Sequence, residues 1–205
     1  MFTPRREHAR FCSTRCRVAW NRALTGDPVV GYSALEWSVP AMRDAIRRLA
    51  LASGSDQATV FAAVGDAVWA VTIVDAAMVR YHPDVYDRVL DGETSAQRQL
   101  IEESLAGLRF VRNQMTDHTV LVKFVEPADA GNATDPAGVL GWTWRSVTGP
   151  QPKRNRPSAR TWQAARHRAY QLRLAGHAVG EVFELAEAFL ERTSAEATMI
   201  TDLGV

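Results

Sequence analysis

Two long segments of this chain repeat apolar residues at the spacing of an α-helix, and this pattern limits what the chain can fold into. Residues 57 to 81 carry apolar side chains on more than one side, which predicts a central helix contacted from several directions. Residues 95 to 117 carry them on one face. Because such faces must be buried against other helices, we predict a mainly α-helical bundle in which these two helices pack antiparallel.

Shorter segments complete the predicted bundle. Pro40 suits the first turn of a helix, where its missing N–H would have no partner to lose. Thr94 or Ser95 is expected to cap the second long helix, and Gln97 follows Thr94 at the spacing of a capping box. Gly176 is expected to separate the last two helices. Further helices are predicted over about 41 to 52, 158 to 175 and 179 to 192, and a brief helical turn is predicted to start at His82-Pro83-Asp84 and to close near Asp91-Gly92.

Residues 119 to 150 differ from the rest of the chain, because β-prone residues flank a stretch that contains proline and glycine. We predict a small irregular or β-hairpin insertion here. Trp142 and Trp144 alternate with Thr143, so both indoles would lie on one side of a strand. They could stack on the bases of a nucleic acid, but packing on the bundle is favoured since Trp usually serves burial.

Three regions follow from this pattern: a basic N-terminal segment over 1 to 26, a helical bundle domain over 33 to 193, and a flexible tail over 194 to 205. Wholesale disorder is excluded, since 46% of the 205 residues are hydrophobic and 23% are charged. The longest apolar stretch is far shorter than the roughly 20 residues of a membrane span. The first residues also lack the apolar segment of a signal peptide. We therefore expect a cytoplasmic location and no membrane partner.

The charge distribution suggests a polyanionic partner. Residues 1 to 24 carry six Arg against one Glu, and residues 151 to 180 carry seven Lys or Arg and no acidic residue, although the whole chain has a net charge of only +1. Basic segments of this kind can contact phosphates, which predicts RNA or another nucleic acid as the partner. Alternatively, the arginines are solvated or pair with the acidic remainder of the chain. The candidate nucleic-acid-binding residues are Arg154, Arg156, Arg160, Arg166 and Arg173.

Both cysteines lie near the N-terminus, within a basic helix predicted over 13 to 24 and the residues just before it. Cys12 and Cys16, together with His8, recur every four residues and could share one helical face as zinc ligands. The stretch from Ala9 to Arg17 resembles the second half of treble-clef-like zinc fingers. In those fingers an upstream Cys-x-x-Cys supplies the first two ligands, and that pair is absent here. Zinc binding by three ligands and two reduced cysteines in a basic helix remain the two alternatives.

A short motif at the end of the second long helix bears on chemistry: Arg112-Asn113, followed by His118. It resembles the signature of HEPN-type ribonucleases, an Arg followed by a polar residue, often Asn, with a His a few positions later. The resemblance covers residues 56 to 120. It implies an endoribonuclease that needs no metal or other cofactor, in which Arg and His meet across a homodimer. It also implies a role in host defence or as a toxin.

The chemistry suits these residue types. His118 could accept the proton of the 2′-hydroxyl as that oxygen attacks phosphorus, while Arg112 holds the phosphate and Asn113 orients it. On a regular helix His118 would lie about 240° from Arg112, so the helix must end or bend between them. The alternative is a non-catalytic nucleic-acid-binding or regulatory helical protein. Arg112 would then pair with Asp66 or Asp75, and His118 would be a capping or surface residue.

Overall fold

The protein is a mainly α-helical bundle with a small antiparallel sheet, as predicted. The computed structural model describes residues 28–52, 55–115, 118–128, 141–148 and 157–202. These residues form α1 Pro28–Leu51, α2 Gln57–Tyr81, α3 Pro83–Asp91, α4 Ser95–Gln114, a 3₁₀ helix His118–Lys123, β1 Val125–Pro127, β2 Trp142–Trp144, α5 Pro157–Arg173 and α6 Val179–Asp202. The helix predicted over 13 to 24 lies outside the described residues.

Helix α2 is the centre of the bundle and packs against α1, α3, α4 and α6. It begins at the cap residue Asp56, whose carboxylate accepts the backbone N–H groups of Ala58 and Thr59. Buried residues lie on several of its sides, as its sequence predicted. By length and hydropathy α2 is also a candidate membrane span. However, 67% of its apolar window is buried within the bundle, as in an ordinary core helix, so this is weak evidence for a membrane.

Helix α1 begins at Pro28, well before the predicted start at 41. Pro40 therefore lies inside the helix and not in its first turn. Leu35 and Val39 are buried together with Met42, so one apolar face continues across the proline. Proline removes the hydrogen bond to the carbonyl of residue 36. Both Glu36 and Pro40 are exposed, so water can satisfy that carbonyl. The predicted start was wrong because burial of this face outweighs the cost of one lost hydrogen bond.

Helix α6 continues to Asp202, so the predicted helix end near 192 was wrong. Thr193 is fully buried, and its hydroxyl donates to the carbonyl of Phe189 at 2.7 Å. Ala197 is also buried. Outside the core, Arg88 of α3 binds Glu196 at 2.7 Å. The additional turns are therefore held by the bundle, which the local sequence does not reveal.

The two strands pair antiparallel, with Val125 opposite Trp144 and Pro127 opposite Trp142. Both tryptophans are buried, as favoured from the sequence: Trp142 packs edge-on against Phe61, and Trp144 contacts Phe183. Neither indole is therefore available for stacking on a base.

The last two helices are separated by Gly176, as predicted. Its φ of +82° is a conformation that other residues rarely adopt, and its N–H donates to the carbonyl of Trp144 at 2.7 Å. The turn between α5 and α6 is thereby anchored on β2.

Helices α4 and α5 approach each other closely at Gly107. A Cβ atom at this position would lie 2.6 Å from Cδ1 of Leu174 and 3.3 Å from Cα of Tyr170. On either side of this crossing, Phe110 packs against Tyr170 and Glu103 binds Arg173. The missing side chain thus lets α5 lie directly on α4 and fixes which residues of the two helices are neighbours.

We expect Gly107→Val to lower the free energy of unfolding by about 1–3 kcal/mol, because a larger side chain would force the two helices apart. Ala106→Val is the matched control, since Ala106 is the adjacent residue and is only partly buried. Its expected loss is about 0.5 kcal/mol, from the lower helix propensity of valine. Urea unfolding measures both. Equal losses in the two variants would contradict a tight crossing at Gly107.

Candidate functional site

Helix α4 ends between the predicted Arg112 and His118. Its last residue is Gln114, and the N–H of the cap residue Met115 donates to the carbonyls of Val111 and Arg112. Met115 is extended, and His118 begins the following 3₁₀ helix. The sequence analysis required the helix to end or bend between Arg112 and His118, and the helix does end there. Arg112 and Asn113 are both partly exposed, whereas the side chain of His118 lies outside the described residues.

The guanidinium of Arg112 lies over the indole of Trp69 on α2, with its Cζ 5.4 Å from the ring centre. No carboxylate among the described side chains pairs with it. Asp66 lies 3.7 Å from Arg48, and Asp75 binds Arg109. The alternative in which Arg112 pairs with Asp66 or Asp75 was therefore wrong, and the partner of its charge among the described side chains is the indole of Trp69.

Asp75, Arg109 and Tyr86 form a network between α2, α3 and α4. Asp75 is 1% exposed and accepts two hydrogen bonds of 2.5 Å from Nε and Nη2 of Arg109, and a third of 3.1 Å from the Tyr86 hydroxyl. Burial and then the charge of Asp75 raise the pKa of Tyr86. Burial alone would lower the pKa of Arg109, but the hydrogen bonds and charge of Asp75 raise it overall. The Arg109 charge is thus neutralised within the fold.

The contacts between α2 and α4 also set their direction. Residue 69 meets residue 112, while residue 75 meets residue 109, so the numbering rises on one helix as it falls on the other. The two helices are antiparallel, as predicted. Because Arg109 and Arg112 are one turn apart, they follow the same side of α4, with one bound to a carboxylate and the other to an indole.

Helix α5 contributes a second guanidinium on an indole. Cζ of Arg166 lies 4.6 Å from the centre of the Trp162 ring, one turn earlier on the same helix. The pKa of Arg166 is lowered, first by burial and then by the positive charge of Arg109; the charge of Asp75 partly opposes this shift, and Arg112 adds to it more weakly. Phe110, next to Arg109 in the sequence, lies 5.2 Å from the ring of His167, next to Arg166, so these arginines lie in the same part of the contact between α4 and α5. Only Arg109 among them has a carboxylate partner in the described part of the chain.

Most other arginines are used differently. Nine with described side chains lie within 4.0 Å of a carboxylate: Arg43, Arg47, Arg48, Arg88, Arg98, Arg109, Arg145, Arg173 and Arg192. Arg112 and Arg166 contact indoles, and no carboxylate with a described side chain binds either of them. We call Arg112, Trp69, Arg166 and Trp162 the Arg–Trp surface. Two neighbouring guanidinium groups of like charge attract an anion, and their planar donors match the oxygens of a phosphate.

A shallow pocket of about 400 Å³ lies beside Arg109. Its walls include Val79, Pro83 and Leu90, but also the carboxylates Asp87 and Glu102. These acidic groups would repel a phosphate, and Arg109, the one cation among the described residues that line the pocket, is already paired with Asp75. The Arg–Trp surface is therefore the better candidate for binding an anion.

The other predicted site residues are placed as follows. Arg173 binds Glu103 at 2.5 Å, so it joins α5 to α4. Arg160 lies in α5, but its side chain is not among those described. Arg154 and Arg156 lie outside the described residues. The predicted zinc ligands His8, Cys12 and Cys16 are also outside them. Within the described ranges no three His, Cys, Asp or Glu side chains are grouped as a metal site would need.

Sequence reasoning did not identify Trp69 and Trp162 as part of a site. The spacing of Trp162 and Arg166, four residues apart on a basic helix, was a readable signal for a stacked pair. Trp69 gave no such signal, because its partner comes from another helix. Comparisons of the chain with family models, with curated proteins and with solved structures found no match.

Proposed function

We propose that this chain is an RNA-binding protein that holds the phosphate backbone of RNA at the Arg–Trp surface. The observation that carries the proposal is the neighbouring pair Arg112 and Arg166, which lie on indoles and have no carboxylate partner among the described side chains. Stacking on an indole holds each guanidinium in place and leaves its N–H donors for another acceptor. A bound phosphate would also relieve the repulsion between the two positive charges.

The wider charge distribution supports the same surface. Helix α5 lies within residues 151 to 180, which carry seven basic residues and no acidic one. The two basic stretches, 1 to 24 and 151 to 180, together contain 13 of the 24 basic residues and one of the 23 acidic residues. The rest of the chain is therefore acidic, with 22 Asp or Glu against 11 Lys or Arg. Such an asymmetry would steer RNA toward α5 and away from the acidic faces of the bundle.

Arg112→Gln and Arg166→Gln are each expected to weaken binding of a fluorescent single-stranded RNA about tenfold at low salt, since each removes a charged hydrogen-bond donor to phosphate. The slope of log affinity against log salt should fall by about 1 in each variant. Fluorescence anisotropy measures both quantities. Arg43→Gln is the control, because Arg43 is exposed and bound to Glu191 on α6. Unchanged affinity in the first two variants, or an equal loss in the control, would contradict the proposal.

A second candidate function is metal-independent RNA cleavage of the HEPN type, and the end of α4 between Arg112 and His118 favours it. His118 would accept the proton of the 2′-hydroxyl, whose oxygen attacks the adjacent phosphorus. The bond to the 5′-oxygen breaks, that oxygen takes up a proton, and a 2′,3′-cyclic phosphate and a 5′-hydroxyl result. Arg112 would stabilise charge on the phosphoryl oxygens, and Asn113 would orient one of them.

The HEPN resemblance further implies a homodimer and a defence or toxin role. Cleavage in the presence of a chelator, lost in His118→Ala, is its test.

A further inference from the structure

We infer that the Arg–Trp surface selects unpaired RNA, because each of its two guanidinium–indole stacks can hold one exposed base. The inference rests on the proposed RNA binding and adds the class of RNA that is bound. The two stacks are Arg112 on Trp69, from α4 and α2, and Arg166 on Trp162, both from α5. They lie on neighbouring helices, since α4 packs directly on α5 and also contacts α2.

The exposure of the two indoles distinguishes them from the tryptophans of the sheet. Trp69 is 47% exposed and Trp162 is 43% exposed, whereas Trp142 and Trp144 are almost completely buried. A half-exposed indole presents part of its surface to a ligand. Its guanidinium partner adds a second flat group, on which a base can also stack. Each pair therefore places a flat indole and a positive charge side by side.

This combination favours a single strand over a duplex. In an RNA duplex the bases stack on one another, so a protein surface reaches mainly phosphates and 2′-hydroxyl groups. A duplex would gain only the contacts made by the guanidinium charges. A single strand can gain these contacts and also place bases on the two indoles, which is sequence-tolerant because every base has a flat face.

The test compares three labelled probes of about 12 nucleotides, a length within the range that single-strand binding modules cover: an unstructured RNA strand, an RNA duplex, and a strand without bases. The native chain is expected to bind the unstructured strand at least about tenfold more tightly than either of the others. Trp69→Leu and Trp162→Leu should each lose about tenfold for that strand and clearly less for the duplex and the baseless strand, which lose only the support that the indole gives to the guanidinium. Trp37→Leu is the control, because Trp37 is an exposed tryptophan on α1.

Loss of folding is separated from loss of stacking by Trp69→Phe and Trp162→Phe, which retain a flat ring and should recover most of the affinity. Equal binding of single strand and duplex, with no effect of the Trp variants, would overturn the inference. The proposed RNA binding would still stand if Arg112→Gln weakened binding of both the unstructured strand and the duplex. Absence of binding to every RNA would overturn the proposed function together with the inference. Equal binding of single-stranded DNA would support base stacking and contradict a function restricted to RNA.

Discussion

The Asp75→Ala variant is expected to lose about 3–5 kcal/mol of its free energy of unfolding, which is typical when one partner of a buried ion pair is removed. Asp75 is 1% exposed and holds Arg109 and Tyr86 through three hydrogen bonds. Without the carboxylate, a largely buried guanidinium and a buried hydroxyl lose their partner at the junction of three helices. Urea unfolding followed by circular dichroism measures the loss.

Helix α2 provides its own control in Asp66→Ala. The Asp66 side chain is 57% exposed and lies 3.7 Å from Arg48, so its loss should cost less than about 1 kcal/mol. A double variant, Asp75→Leu with Arg109→Met, should recover part of the stability, because it removes both buried charges. Similar losses in the two single variants, or a double variant less stable than Asp75→Ala, would contradict the structural role assigned to the network.

His118→Ala is expected to reduce RNA cleavage about 10²- to 10⁴-fold, which is the usual contribution of a general base. Its RNA affinity should change less than about twofold, since phosphate binding is assigned to Arg112 and Arg166. Cleavage is measured by denaturing gel electrophoresis in the presence of a chelator. His177→Ala is the matched control, because the His177 side chain is 55% exposed on the turn between α5 and α6.

Mixing two inactive variants tests the shared site that the HEPN resemblance implies. If Arg and His come from different protomers of a homodimer, Arg112→Gln mixed with His118→Ala should regain part of the native cleavage rate, since some dimers then contain one intact pair. If both residues act within one chain, mixing should restore nothing. Full cleavage by His118→Ala, or no cleavage by the native chain, would contradict the second function and leave RNA binding to its own test.

The sequence motif identified only part of the candidate site. Arg112 and Asn113 were identified from the motif, and the helix end between Arg112 and His118 was set as a condition and is met. Arg166 was one of several arginines in a basic stretch, and the only local feature that set it apart from Arg173 was Trp162, one turn earlier on the same helix. The fold distinguishes them, since Arg173 faces Glu103 of α4 while Arg166 lies on Trp162.

The sequence by itself determined the helical class, the central place of α2, the cap at Thr94 and the break at Gly176, because apolar spacing, capping side chains and a positive φ act within a few residues. Tertiary structure alone decided where α1 begins and α6 ends, since burial against other helices outweighs local preference there. It also decided that Asp75 binds Arg109 and leaves Arg112 to Trp69. Arg109 and Arg112 lie one turn apart on α4. Which of them meets Asp75 depends on the rotation and offset of α4 against α2, which only the packing of the two helices fixes.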